Sequence, residues 1–542
     1  MKFYMYCMAM AAMMLLSVAC ENGSSHSSYD STTTESVQLS APPMNDKPEE
    51  KQASPQISED IVLKREKDFN TEDYDHIEEN KFLSVKKEPL STFSIDVDRA
   101  AYSNVRRFIE GGQLPPKGAV RIEEMINYFD YHYASPTSDD PFAVYTEVAS
   151  CPWNEKHKIV HVGLQGKKMP TEDLPSSNLV FLIDVSGSMD EPDKLPLVQQ
   201  SLKLLTGQLR SQDKVAIVVY AGNSGLVLPS TSGDDKGAIE EAINHLHAGG
   251  STAGGEGIQL AYNIAEQNKK SNGNNRIILA TDGDFNIGAS SDDELVSLIE
   301  KERQRGIYLS VLGFGTGNYK DNKMQQLADK GNGNHNYIDN ISEARKVLVN
   351  EFGGTLFTIA KDVKLQVEFN PSLVSSYRLI GYENRALANE DFNDDKKDAG
   401  ELGSGHTVTA LYEIVPTGIK DTMTGSVDDL KYQSVPQNKD GNGNELMTIK
   451  LRYKKPDSEK SQLMIYPVAD ESKHWEEASD NFKLSVSVAE FGLLLRESSF
   501  KQNSSFTQTL LLAKEATADD DNDYRREYVK LVQDAASLKK GE

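Results

Sequence analysis

Four apolar runs constrain this chain more than anything else in it: NLVFLIDVS (178–186), KVAIVVYAG (214–222), NRIILATDG (275–283) and IYLSVLGFG (307–315). A strand with one wet face alternates apolar and polar residues, whereas a run that is apolar at nearly every position is covered on both faces. Between the runs lie segments with helical spacing, LPLVQQSLKLLTGQL (195–209), AIEEAINHLHA (238–248), GIQLAYNIAEQN (257–268) and DDELVSLIEKERQRG (292–306). Strand and helix in alternation predict an α/β fold with a doubly wound, mostly parallel, Rossmann-like sheet and right-handed crossovers. In such sheets ligands collect beyond the carboxyl ends of the strands, so the loops leaving those ends are the place to look for function.

Three of those loops are rich in small oxygen donors. DVSGSM supplies Asp184, Ser186 and Ser188; GGSTAGG supplies Thr252; TDGD supplies Asp282. D-x-S-x-S alone is an ordinary turn composition. Three such loops in order, each on the end of an expected strand, are far more specific. Over about residues 177–350 the sequence resembles the von Willebrand factor type A (vWA) domain with its metal-ion-dependent adhesion site, and all five positions of that site are present. The resemblance implies a site for Mg²⁺ (or Mn²⁺) in which Ser186, Ser188 and Thr252 bind directly while Asp184 and Asp282 act largely through water.

The residue types suit that chemistry. Mg²⁺ is a hard cation that takes six oxygens in near-octahedral array and sheds water reluctantly. Three neutral hydroxyls and two carboxylates balance its charge without clamping an anion tightly onto it. The ion then stays electrophilic, and the resemblance implies a partner protein whose Asp or Glu carboxylate completes the coordination. Asp190, Glu191 and Asp193 are expected to cap the helix that follows, since acids favour a first turn.

The N-terminus reads as a targeting segment: Lys2, a Met-, Ala- and Leu-rich stretch, then Ser17-Val18-Ala19 before Cys20. It resembles a bacterial lipobox, with Ser17 where the pattern prefers Leu, and implies cleavage after residue 19 and lipid acylation of Cys20. Residues 20–88 are polar, rich in Ser, Thr, Pro and acids, and are expected to form a disordered tether. The 83 acidic against 58 basic side chains give a net charge of −25, which repels phosphate backbones and excludes nucleic acid as a natural partner. Glu21 after Cys20 is not the aspartate that signals inner-membrane retention in Gram-negative bacteria, so the expected location is the cell envelope, anchored by lipid, with the outer membrane favoured over the inner.

Around the vWA domain (176–352) the chain divides into an N-terminal α+β region (89–175), a β-rich, sandwich-like region (355–475) that is open to sharing strands with residues 140–166, and a C-terminal helical region (476–542). FSIDVDRAAYSNVRRFIEGG (93–112) reads as strand then helix, with Arg106-Arg107 on a solvated face, and RIEEMINYFDYHY (121–133) as a second helix. PFAVYTEVAS and HKIVHVGLQG alternate as strands, as do DVKLQVEFN, HTVTALYEIVP, LMTIKLRYKKP and SQLMIYPVA; the last three apolar segments are helical. This arrangement resembles a family of bacterial vWA lipoproteins with N- and C-terminal companion domains. Phosphate-loop, nucleophile-elbow, H-E-x-x-H and Cys/His-cluster motifs are all missing. The expected function is therefore a membrane-anchored, metal-dependent protein-binding module for adhesion or assembly, not an enzyme; a passive envelope scaffold and a metal-assisted hydrolase are the alternatives.

Overall fold

Along the strand Ser177–Asp184 successive side chains leave the backbone on opposite sides, and both sides are covered. Leu179, Phe181 and Ile183 enter one apolar cluster, Val180 and Leu182 another. This double burial is what the uninterrupted hydrophobic run requires. The computed structural model describes residues 71–542 except 222, 251–253, 284, 286–291, 352–356, 421–422, 424–442, 472, 519, 521 and 542. Cys20, the signal segment and most of the expected tether thus lie outside the described residues.

The central sheet has six strands in the order His335–Ile338, Tyr308–Phe314, Asn274–Thr281, Ser177–Asp184, Lys214–Ala221, Asn223–Ser232. All neighbours are parallel apart from the last strand, which returns antiparallel along Lys214–Ala221. Helices Leu195–Gln208, Lys236–Asn244, Gly254–Gln267, Asp292–Gln304 and Asp321–Lys330 connect the strands. Their apolar residues fill the same two clusters: Val198, Leu202 and Ile239 on one face, Ile258, Leu295 and Met324 on the other. The expected α/β sheet is present, with an antiparallel edge.

Strands from before and after this domain build one β-sandwich, with residues 142–166 sharing a sheet with the later segment as the sequence allows. One antiparallel sheet runs Leu83–Ser84, Val374–Ile380, Thr407–Pro416, Asn154–Gly166, Phe142–Cys151. The other holds Gly400–Gly403, Thr358–Phe369, Glu445–Lys454 and Ser461–Ala469, with Leu90–Ser94 also paired to Thr358–Phe369. Val160, Val162 and Tyr412 from the first meet Leu365, Val367 and Ile449 from the second in a shared core. Such pairing over about 250 residues of sequence leaves no local signature.

A further core joins the helices Ala100–Glu110 and Ile122–Ile126 to the closing helices Asp480–Leu495, Phe506–Glu515 and Tyr524–Gly541. The helix expected over 121–133 stops at Ile126. Asn127 takes the cap position and sends its amide to the Glu123 and Thr409 carbonyls and the Tyr382 hydroxyl, at 2.8, 3.0 and 3.0 Å. That cross-link to the strand Thr407–Pro416 wins over helix continuation.

Two expectations are corrected here. Residues 71–88, placed in the tether, pack on the folded body: Thr71 and Asp73 donate backbone bonds to Gly317 and Tyr319, and Val85 to Ser375. Tyr74 lies against Phe108 and Tyr319. Arg106, assigned to a solvated face, is 2% exposed. Its guanidinium reaches Asp339 at 2.5 and 2.8 Å, Glu343 at 2.8 Å, Glu527 at 2.8 Å and the Tyr128 hydroxyl at 3.1 Å. Arg107 pairs with Glu72 through two bonds of 2.9 and 3.0 Å. Charge pattern alone cannot separate a solvated arginine from a buried one whose acids arrive from distant segments.

Replacing one partner of a buried ion pair strands the others without countercharge. Arg106→Met is expected to lower unfolding stability by about 3–5 kcal/mol, measured by urea denaturation. Burial holds the imidazoles of His161 and His335 at a pKa of about 3, against an ordinary 6.5. The folded state therefore refuses a proton that the unfolded chain accepts below about pH 6.5, so stability drops as pH falls from there toward 3. At pH 5 each of the two is expected to have cost up to about 2 kcal/mol relative to pH 8. Comparing denaturation midpoints of wild type and His161→Gln across that range measures the share owed to His161.

Candidate metal-ion and adhesion site

Asp184 ends a central strand of the sheet, the fourth of six, and is fully buried. Its Oδ1 accepts from the Ser186 N–H at 2.9 Å, which folds the chain back into a tight turn. Its Oδ2 accepts from the Tyr220 hydroxyl at 3.1 Å and the Thr281 hydroxyl at 3.2 Å, one from each neighbouring strand. Burial drives the Asp184 carboxyl up to about 6, the Ser186 bonds pull it back, and the nearby charge of Asp282 adds to the rise. A carboxylate so placed favours a cation beside it.

Ser186 precedes a single 3-10 turn, Gly187–Asp190, that carries Ser188. The two hydroxyls hydrogen-bond to each other, their oxygens 3.0 Å apart. An octahedron with metal–oxygen bonds of about 2.1 Å has edges of about 3.0 Å, so the pair has the spacing of two adjacent ligands. Asp282 is fully buried at the end of the strand Asn274–Thr281. Gly283 beyond it has φ +102°, and a Cβ there would lie 2.6 Å from the Lys320 nitrogen. Only glycine lets this turn sit so close to the next loop.

Thr252 lies outside the described residues. The loop around it is nonetheless tied to the first: Gly187 N–H donates to the Gly250 carbonyl at 3.1 Å and Gly249 N–H to the Val185 carbonyl at 2.7 Å. At the start of the following helix a Cβ on Gly254 would lie 2.9 Å from the Phe285 ring, and one on Gly257 2.7 Å from Tyr220 Cβ. Glycines at these places let the helix press onto the strand ends. The structure thus brings Asp184, Ser186, Ser188 and Asp282 to one end of the sheet, beside the loop that carries Thr252.

Three participants escape the sequence reading. Tyr220 and Thr281 look like ordinary strand residues, and only the sheet order reveals that they flank Asp184. Lys194 is the third. It is 6% exposed, and its ammonium lies 3.0 Å from Asp282 Oδ2 and 3.5 Å from Asn318 Oδ1. It occupies the N-cap of helix Leu195–Gln208, which has no side-chain cap. Asp190, Glu191 and Asp193 therefore do not cap that helix as expected; Asp190 closes the 3-10 turn instead. A cation at a helix N-terminus opposes the helix dipole, and that mismatch was the available signal that Lys194 serves an acid elsewhere.

Chemically, the arrangement offers hydroxyl and carboxylate oxygens only, the donor set of a hard cation. Among the described residues no group of three or more His, Cys, Asp or Glu gathers at metal-binding distances, so the softer sites of zinc or copper proteins have no counterpart there.

The family model for the von Willebrand factor type A domain matches residues 178–350, one described as von Willebrand factor matches 68–161, and one for the C-terminal part of Uncharacterized protein YfbK matches 354–538. Uncharacterized protein YfbK of Escherichia coli (strain K12) is 44% identical over 470 residues, covering 85% of this chain and 80% of its own. Among solved structures, von Willebrand factor type A from Catenulispora acidiphila aligns over 73% of this chain and 91% of its own, at 17% identity and a TM-score of 0.39. The ArnB paralog VWA2 from Sulfolobus acidocaldarius aligns over 74% and 98%, at 14% identity and a TM-score of 0.35. With a vWA domain flanked by both companion regions, the chain belongs to the YfbK family of von Willebrand factor type A proteins.

Proposed function

We propose that this protein is a lipid-anchored binding module of the cell envelope whose vWA domain holds Mg²⁺ or Mn²⁺ and offers it to an Asp or Glu carboxylate of a partner protein. The observation that carries this reading is the pair of hydroxyls of Ser186 and Ser188, set at the edge length of an octahedral ion beside two buried aspartates. Ser186, Ser188 and Thr252 would bind the ion directly. Asp184 already receives donors at both oxygens from the protein, which suits a role in fixing the turn and in accepting from metal-bound water. The ion supplies an electrophilic position for a carboxylate; the chain's own residues orient it.

Anchoring rests on the sequence around Cys20. Attachment through Cys20, with the outer membrane favoured, is part of the proposal; no helix among the described residues is long and apolar enough to cross a membrane. An envelope scaffold that ignores the metal is the competing outcome.

Mn²⁺ titration followed by electron paramagnetic resonance separates the two. Wild type is expected to take up one ion, and the Ser186→Ala, Ser188→Ala double variant to bind it about 100-fold more weakly. Since Asp184 must be ionised to attract a cation and its carboxyl sits at about 6, Mn²⁺ affinity is expected to fall as pH is lowered through 6, with a flatter profile in Asp184→Asn. Crosslinking in cells should capture a partner that EDTA and Asp184→Ala both release. Capture indifferent to both treatments would leave the scaffold reading in place.

A further inference from the structure

Lys194 brings a positive charge to a site that is read as holding a cation. Its ammonium is 3.0 Å from Asp282 Oδ2, and the side chain is fixed along its length: at Gly315, φ +71°, an added Cβ would lie 2.5 Å from both Lys194 Cγ and Cε. The loop after strand Tyr308–Phe314 also contributes Asn318 Oδ1 to the same ammonium at 3.5 Å. A lysine that merely needed a partner would find water; this one is packed under a loop and placed at a helix end where the dipole disfavours it.

We infer that Lys194 is a resident counter-cation of the site, which loosens the grip on the divalent ion and tightens the grip on the incoming carboxylate. The inference rests on the metal-binding reading above. Two aspartates alone give the site a formal charge of −2, and a divalent ion brings it to zero; an approaching anion then meets no net attraction. With the ammonium in place the empty site carries −1 and the loaded site +1. The same charge that competes with the ion therefore recruits the acid, and screening within the buried site is weak. Lys194 acts through Asp282 and through its field, so it is a positioning residue.

Opposite signs make this separable from a structural salt bridge. Lys194→Gln keeps a donor to Asp282 without charge, and Lys194→Met removes both. In the purified full chain, Mn²⁺ is titrated by electron paramagnetic resonance, and acetate binding to the Mn²⁺-loaded protein is read from the relaxation of acetate protons. Both variants are expected to bind Mn²⁺ about tenfold more tightly and acetate about tenfold more weakly than wild type. Weakening of both ligands, or no change in either, overturns the inference while leaving the metal reading intact. Failure of folded wild type to take up Mn²⁺ overturns the metal reading and this inference with it. Should Lys194→Met fail to fold, Lys194→Gln alone decides.

Discussion

One buried carboxylate organises the functional end of this molecule. Asp184 ends a central strand of the sheet and accepts a hydroxyl from the strand on either side, Tyr220 and Thr281, while its other oxygen holds the Ser186 N–H. Three strand ends are thereby stitched to one side chain, and the serine turn is shaped by the protein's own bonds. Burying an ionisable group is costly without compensation. The burial that raises Asp184 to about 6 makes the position attractive to a cation, so local strain on charge and the proposed chemistry share one cause.

Around that point the fold supplies rigidity through long-range contacts. Arg106, on a helix near the start of the folded body, bonds Asp339 and Glu343 of the vWA domain and Glu527 of the last helix. Glu72, on the segment leading out of the expected tether, pairs with Arg107 and accepts from the Gly317 N–H at 2.9 Å. Gly317 stands two residues from the Gly315 that packs on Lys194. The segment around Glu72, the companion helices and the loop that packs on Lys194 are therefore parts of one packed structure.

Much of this was readable in the residues. The strand Ser177–Asp184 was visible because double burial forces a continuous apolar run, and the serines because the turn after it has small oxygen donors at fixed spacing. The closing helices were visible by their periodicity. What stayed hidden depended on partners far along the chain. Lys194 is one lysine among several near a helix start until Asp282, 88 residues away, is seen beside it. Arg106 reads as solvated until acids from residues 339, 343 and 527 converge on it. The sandwich's sharing of strands with residues 140–166 was legible in their alternation, but its strand order and register across 142–166 and 374–416 are written in no local pattern. Residues 71–85 lack the composition of a core, and they are ordered by backbone bonds to Gly317, Tyr319 and the strand Val374–Ile380.

The most direct measurement is anomalous scattering from crystals of the intact folded body grown with Mn²⁺. A single strong peak within bonding distance of Ser186 Oγ and Ser188 Oγ, with Asp184 and Asp282 behind it, is the expected result. An ordered vWA domain with no peak at that position would contradict the account.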